Sequence, residues 1–231
     1  MTHPIKIPSM VLPAWLATSL LTVMVSPALL AQEGSQDNTD DSVSPGVAEV
    51  VVFDGVSQPP WLLYLGSSNN WGVLVQGEET TSYKSKVITV RKVDNTGTGD
   101  AIQAEWNGGL GQVYWQDYNV DPHDYTELAA QGGALSMVLR VDAAPKKSVD
   151  LKMDCGYPCA GTLDMTQLFK SVPPDQWFRV SFKLSCFGEA GANLGNILAP
   201  FVIATKGKLT LSIADVRLLK DPPQESVVPC G

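Results

Sequence analysis

The chain has 231 residues, a formal net charge of −8, and 17% charged against 44% hydrophobic residues. An acidic balance of this kind lacks the basic footprint of a nucleic-acid binder. Four cysteines and two histidines allow at most one closed four-ligand zinc site, built from all the cysteines or from three of them with His123. At the N-terminus Lys6 precedes an apolar stretch, Met10 to Val25, and small residues (Ser26, Ala28, Ala31) follow it. Residues 1–31 therefore read as a secretory signal peptide. Pro13 and Thr18 interrupt the apolar run, which falls short of the roughly 20 residues of a membrane span. The expected product is exported, periplasmic or secreted, with no membrane attachment after cleavage. Residues 32–46 carry Glu33, Asp37, Asp40 and Asp41 with no Lys or Arg, a composition expected of a disordered, solvated linker.

From Val47 to about Asp221 the chain is the size of one domain with a full core. Its apolar pattern has period two. Trp61 follows two prolines and packs the first strand, and Trp71 stands in the polar stretch "GSSNNWG". Ile102, Ala104 and Trp106 share one face, as do Val113 and Trp115, which predicts both tryptophans in the core. Leu135, Met137, Leu139 and Val141 alternate with Ser136, Val138 and Arg140, and Val149, Leu151 and Met153 alternate with Asp150, Lys152 and Asp154. In "WFRVSFKLSCF" the residues Phe178, Val180, Phe182, Leu184 and Cys186 share the buried face of one predicted strand. Leu209, Leu211 and Ile213 run in one phase and Val216 and Leu218 in the other, which predicts a β-bulge at Ala214 and Asp215. Turn residues cluster at 94–100, 106–109, 130–133 and 172–176, and only Thr166 to Ser171 and Gly188 to Asn196 have a helical pattern. Residues 47–220 are thus predicted to be all-β, a two-sheet antiparallel sandwich of the jelly-roll kind, and 221–231 an irregular tail.

In an oxidising compartment nearby cysteines pair. Cys155 and Cys159 in "CGYPC" are expected to form a local disulfide, because Gly156 and Pro158 let the backbone turn between them. Cys186 either stays a buried thiol or reaches Cys230 if the tail folds back.

The runs "GDAIQAEWNGG", "GALSMVLRVD", "LKMDCGYPCAGTLDMTQLF", "PPDQWFRVSFKLSCFGEAGANL", "APFVIAT" and "GKLTLSIADVRL" resemble the ExoP-type galactose-binding-like domain. That module stands at the C-terminus of bacterial glycoside hydrolase family 3 exo-β-glucanases and β-glucosidases. The likeness covers roughly Val47 to Leu219; its most specific part is the cysteine pair followed by W-x-x-x-x-x-x-L-x-C-F. It implies a galactose-binding-like β-sandwich that binds carbohydrate or docks onto a sugar-cleaving enzyme. Catalysis in those enzymes belongs to a barrel, which needs about 250 residues, and a second domain, so hydrolysis is not expected of this module. Modules of this kind also often hold a structural calcium, for which Asp54 and Asp215 are the comparable residues; calcium needs six to eight oxygens, and two carboxylates do not specify such a site. No other cofactor is expected.

Sugar rings stack on aromatic faces while their hydroxyls seek polar partners. Trp71 is the candidate platform. Gln103, Glu105, Gln116, Tyr118, Arg140 and Lys152, with Asp154, lie opposite the apolar faces of their strands. If those strands are neighbours, these side chains line one concave sheet suited to sugar hydroxyls; ordinary solvent-facing alternation gives the same pattern. No local pair of carboxylates marks a glycosidase, and neither a G-x-S-x-G nor a phosphate-binding glycine fingerprint is present. The sequence therefore points to an exported, non-catalytic carbohydrate-binding module. It would recognise a β-glucan-type polysaccharide or dock onto a glycoside hydrolase, with an envelope interaction module or a small glycoside-active enzyme as alternatives.

Overall fold

A computed structural model describes residues 48–82, 84, 86–97 and 99–230; the expected signal peptide (1–31) and acidic linker (32–46) lie outside the described residues. Among the described residues fourteen strands build two sheets. The larger uses β1 (Ala48–Phe53), β4 (Glu79–Thr81), β5 (Ile88–Val93), β6 (Ala101–Asn107), β8 (Ala134–Ala143), β11 (Trp177–Lys183), β13 (Lys208–Leu219) and β14 (Val227–Val228). Its order is β14-β11-β8-β13-β6-β5-β4, with β1 paired to β13. The smaller uses β2 (Trp61–Ser67), β3 (Asn70–Leu74), β7 (Gly111–Asp117), β9 (Val149–Asp154), β10 (Ala160–Asp164) and β12 (Ala199–Thr205), in the order β10-β9-β12-β7-β2-β3. This is the all-β, two-sheet sandwich that the period-two pattern predicts. Pairing is antiparallel except between β11 and β14.

The inward residues of both sheets form one core. Trp106 and Trp115 are fully buried, as predicted, with Trp61, Phe201, Met137, Leu139 and Leu151. Trp115 meets Phe53 and Phe201 at centroid distances of 5.1 and 5.3 Å. The phase change in β13 is a bulge: its register against β8 slips between Ile213 and Asp215, so Ile213 and Val216 both face the core.

Two local expectations are corrected. The strand read through "WFRVSFKLSCF" ends at Lys183, and Leu184–Glu189 is a helix, α3, which follows α1 (Thr126–Ala130) and α2 (Thr166–Ser171). Lys183 is opposite Ala134, the first residue of β8. Beyond it no partner strand remains, and a helical turn buries Leu184, Cys186 and Phe187 together. Of the helical pattern read over Gly188 to Asn196 only Gly188 and Glu189 are helical, as the end of α3; the chain then turns at Ala190 and Gly191, the latter at φ 104°. Thr166–Ser171 is helical as expected (α2), and a further short helix, α1, covers Thr126–Ala130. It starts where Asp124 accepts hydrogen bonds from the Thr126 amide and hydroxyl at 2.9 and 2.6 Å.

The tail is more ordered than an irregular segment. Gln224–Ser226 makes a 3-10 turn, and β14 lies parallel to β11 with Ser181 opposite Val227. Cys230 pairs with Cys186 at a Cα separation of 5.3 Å, which resolves the open choice at Cys186 in favour of a bridge.

Candidate functional site

The outer face of the six-stranded sheet carries a groove of about 680 Å³, within the usual range for ligand sites. Its floor follows from register. Tyr114 of β7 is opposite Val202 of β12, Val202 is opposite Lys152 of β9, and Lys152 is opposite Thr162 of β10. One row of side chains thus crosses four strands. Gln112 lies on one side of this row, and Gln116, Asp154 and Ala199 on the other.

Trp71 closes one end. It belongs to β3, not to a loop, and is 47% exposed. Two neighbours fix it: the Tyr114 hydroxyl donates to its carbonyl oxygen, and its ring covers Gly66. A Cβ at Gly66 would lie 2.6 Å from Gln112 Cγ and 2.9 Å from Trp71 Cε3, so a glycine there permits the tryptophan and glutamine to approach. Tyr114 stacks on Tyr64 at 5.5 Å. Burial pushes its phenol up to about 12, with the charges of Tyr64 and Asp154 adding to the effect, so it remains a neutral donor.

The other end is the loop closed by Cys155 and Cys159, whose bridge spans a Cα separation of 5.1 Å as the spacing predicts. Tyr157, Pro158 and Cys159 form this wall. Asp154 accepts from the Gly156 amide at 2.7 Å, and Asn196 Nδ2 donates to the Cys155 carbonyl at 3.3 Å.

The groove's polar side chains are mostly unengaged. Among the described residues, the amides of Gln112 and Gln116 and the hydroxyl of Thr162 make no hydrogen bond within the protein. Lys152 is 3.8 Å from Asp150, both partly exposed, an ion pair of little strength at that distance.

The residues singled out from sequence divide between the two sheets. Trp71, Gln116 and Lys152 meet in the groove. Gln103 and Glu105 (β6) and Arg140 (β8) stand on the eight-stranded sheet, so the single concave surface expected of all six polar residues does not form: β13 separates β6 from β8, and neither strand pairs with β7 or β9. There Arg140 Nε donates to Asp142 at 2.6 Å and packs over the Trp177 ring at 4.8 Å. Gln103 Nε2 and Ser212 Oγ donate to the same Asp142 carboxylate at 2.7 and 2.6 Å. Glu105 lies 3.8 Å from Arg91. Tyr118, just past the end of β7, donates its amide to the Pro60 carbonyl, and its exposed ring is not part of the groove lining. Sequence reasoning missed Gln112, Tyr114, Tyr157 and Thr162. The first two share the parity of Gln116 in "GQVYWQD", which was the available signal.

The two carboxylates compared with a calcium site are engaged by other side chains. Asp215 binds Arg217 Nε at 2.6 Å and Arg179 at 3.1 Å, one through each oxygen, and Asp54 accepts from Gln58 at 2.6 Å. Both oxygens of Asp215 are thus engaged by guanidinium groups, whose positive charge disfavours a cation beside them. Among the described residues no group of three or more His, Cys, Asp or Glu is arranged to hold a metal.

A family model described as galactose-binding domain-like matches residues 59–218. No curated protein matches the chain in sequence. Among solved structures, the exo-1,3/1,4-β-glucanase ExoP of a Pseudoalteromonas species is similar with a TM-score of 0.65 and 17% identity, over 81% of this chain and 22% of that one. The separate extra C-terminal domain of the same enzyme matches with a TM-score of 0.64 and 19% identity, over 78% of this chain and 98% of that domain. The family 30 carbohydrate-binding module of a cellulosomal cellulase of Clostridium thermocellum matches at 0.50 with 15% identity, over 76% of this chain and 98% of that one.

Proposed function

Because the chain belongs to the galactose-binding domain-like family matched over residues 59–218, we propose that it is an exported, non-catalytic module that binds carbohydrate in the groove of its six-stranded sheet. The observation that carries this reading is the pairing of an exposed, held Trp71 ring with unengaged Gln112, Gln116 and Thr162 along one floor. A pyranose offers an apolar C–H face to the ring and hydroxyls to the amides, which supply both donors and acceptors. The one cation lining the groove, Lys152, is balanced by its one carboxylate, Asp154. That balance suits a neutral glycan, and β-glucan is the class we favour, given the relatives named above. Glycoside hydrolysis in most families needs two carboxyl groups flanking the bond; the groove lining offers only Asp154. Oxidised cysteine pairs support export, and residues 47–220 form the binding domain behind a cleaved leader and an acidic linker.

Affinity electrophoresis in a gel containing soluble β-1,3/1,4-glucan tests the reading. The protein is expected to be retarded, and Trp71→Ala to weaken binding about tenfold, or about 1.4 kcal/mol, with no change in thermal midpoint. Equal migration with and without glucan overturns the β-glucan assignment. Retention that is unchanged in a folded Trp71→Ala variant moves the site out of the groove.

A further inference from the structure

We propose that Tyr157 is a second stacking platform, and that with Trp71 it makes the groove selective for linear neutral glycans of at least about four residues. This rests on the carbohydrate reading above.

Tyr157 is 100% exposed. A ring left wholly in water is unremarkable on a mobile loop, but this loop is held from several sides. The Cys155 amide donates to the Cys159 carbonyl at 3.1 Å and the Cys159 amide to the Gly156 carbonyl at 2.7 Å, inside the ring closed by the disulfide. Gly156, at φ 88°, takes a backbone conformation that other residues adopt with strain. From outside, the Asn193 amide donates to Cys155 Sγ at 3.3 Å, and Asp154 and Asn196 bind the loop as described. The stem is packed too: a Cβ at Gly161 would lie 2.2 Å from the Phe187 carbonyl oxygen of α3. The loop therefore has no room to settle inward and bury its tyrosine. An aromatic carried on a backbone already held before a ligand arrives costs little loop ordering on binding, which favours affinity.

The width of the floor sets the least length of the ligand. From Tyr114 to Thr162 the floor crosses three strand spacings, about 14 Å, with Trp71 over one end and the Tyr157 loop at the other. A glycosyl unit in an extended chain is about as long as one strand spacing. A disaccharide on Trp71 thus leaves Tyr157 untouched, and a chain reaches both rings at about four units. Such a chain must be unbranched along the floor, where Val202 and Ala199 are flush with the sheet.

Isothermal titration of the whole protein with β-1,3/1,4-linked gluco-oligosaccharides of increasing length tests this. Wild-type affinity is expected to rise about tenfold from the disaccharide to the tetrasaccharide and then level off. Tyr157→Ala should remove most of that rise and leave disaccharide affinity within about twofold. Trp71→Ala should weaken every length. The double substitution Cys155→Ser, Cys159→Ser keeps the tyrosine but frees its loop, and should lose about threefold on the tetrasaccharide alone. Binding that depends on Trp71 but is the same in Tyr157→Ala at every length overturns this inference and leaves the carbohydrate reading standing. A rise already complete at the disaccharide does the same. Absence of binding at every length overturns both.

Discussion

The two outer faces of the sandwich have the same alternating sequence pattern and opposite chemistry. On the eight-stranded sheet the polar side chains bind one another. Asp142 gathers Arg140, Gln103 and Ser212, Asp215 bridges Arg179 and Arg217, and Ser136, Ser181 and Ser226 form a chain of hydroxyls at 3.0 and 2.8 Å. On the six-stranded sheet Gln112, Gln116 and Thr162 have no protein partner, and Trp71 and Tyr157 show their rings to solvent. A polar side chain already satisfied gains little from a ligand, since it must exchange one hydrogen bond for another. The first face therefore contributes to holding the sheet together, and the second is available for recognition.

The disulfides sharpen this division, and their loss should give the largest effect on stability. Cys186–Cys230 ties α3 to the tail beside β14 across a sequence separation of 44, whereas Cys155–Cys159 closes a separation of 4 beside the groove. Loop-closure entropy predicts about 4 kcal/mol for the first and about 2 kcal/mol for the second. Urea denaturation of Cys186→Ser, Cys230→Ser and of Cys155→Ser, Cys159→Ser should show that order, with glycan affinity lowered only in the second. The reverse order would mean that the groove loop, not the tail, carries the fold.

A single substitution on the closed face should break the comparison in the opposite sense. Asp142→Ala removes the shared acceptor of three donors and leaves the Arg140 guanidinium, 22% exposed, without its carboxylate. Because the pair is only partly buried, the expected cost is about 2 kcal/mol, below that of removing one partner from a fully buried pair. Affinity for β-glucan should be unchanged within about twofold. A large loss of affinity with no loss of stability would move recognition to this face.

Much of this architecture was legible because period-two alternation depends only on neighbouring residues. It sufficed for the sandwich, for Trp106 and Trp115 in the core, and for the bulge at Ala214 and Asp215. Which strands adjoin is a long-range matter. Gln103 and Gln116 alternate in the same way, and only the placement of β13 beside β6, and of β12 beside β7, sends them to opposite faces of the molecule. The end of β11 was hidden for a similar reason: the length of its partner β8, not its own apolar pattern, decides where α3 begins. Trp71 could be found as an aromatic in a polar stretch. Parity with Gln116 sets Tyr114 on the outer face, but its hold on the Trp71 carbonyl could not be read from sequence, because it lies across two strand pairings.

The smallest expected effect is on pH dependence, and it concerns the end of the sheet that carries the groove. Asp117, at the end of β7, is buried, which alone would raise its pKa; the hydrogen bond with His123 at 2.9 Å, the Asn119 amide at 2.7 Å, the charge of His123 and the Asp121 amide outweigh burial and hold it below 3.8. Asp124 and Asp164 are lowered by hydrogen bonds from Thr126 and Thr166. Asp100 is lowered to about 2, chiefly by the Thr96 hydroxyl and the Asn95 and Thr96 amides, but stands in solvent where its contribution is screened. Each carboxylate binds its proton less readily folded than unfolded. The stability it lends is complete above the unfolded value of roughly 3.9 and is lost as pH falls through the lower folded value. The urea midpoint should thus be level between about pH 7 and 5 as far as these groups decide it, and fall below about pH 4. Asp117→Asn takes up no proton, so its midpoint should be lower at neutral pH and fall less steeply in acid. The affected segment runs from Asp117 through His123, which bridges to Ile197, and on to Leu198, whose amide donates to the Asp154 carbonyl at 2.8 Å at the groove wall. Glycan affinity should therefore decline in acid along with stability. A midpoint that falls as steeply in Asp117→Asn as in the unaltered protein would assign the acid sensitivity to the exposed aspartates of the loops instead.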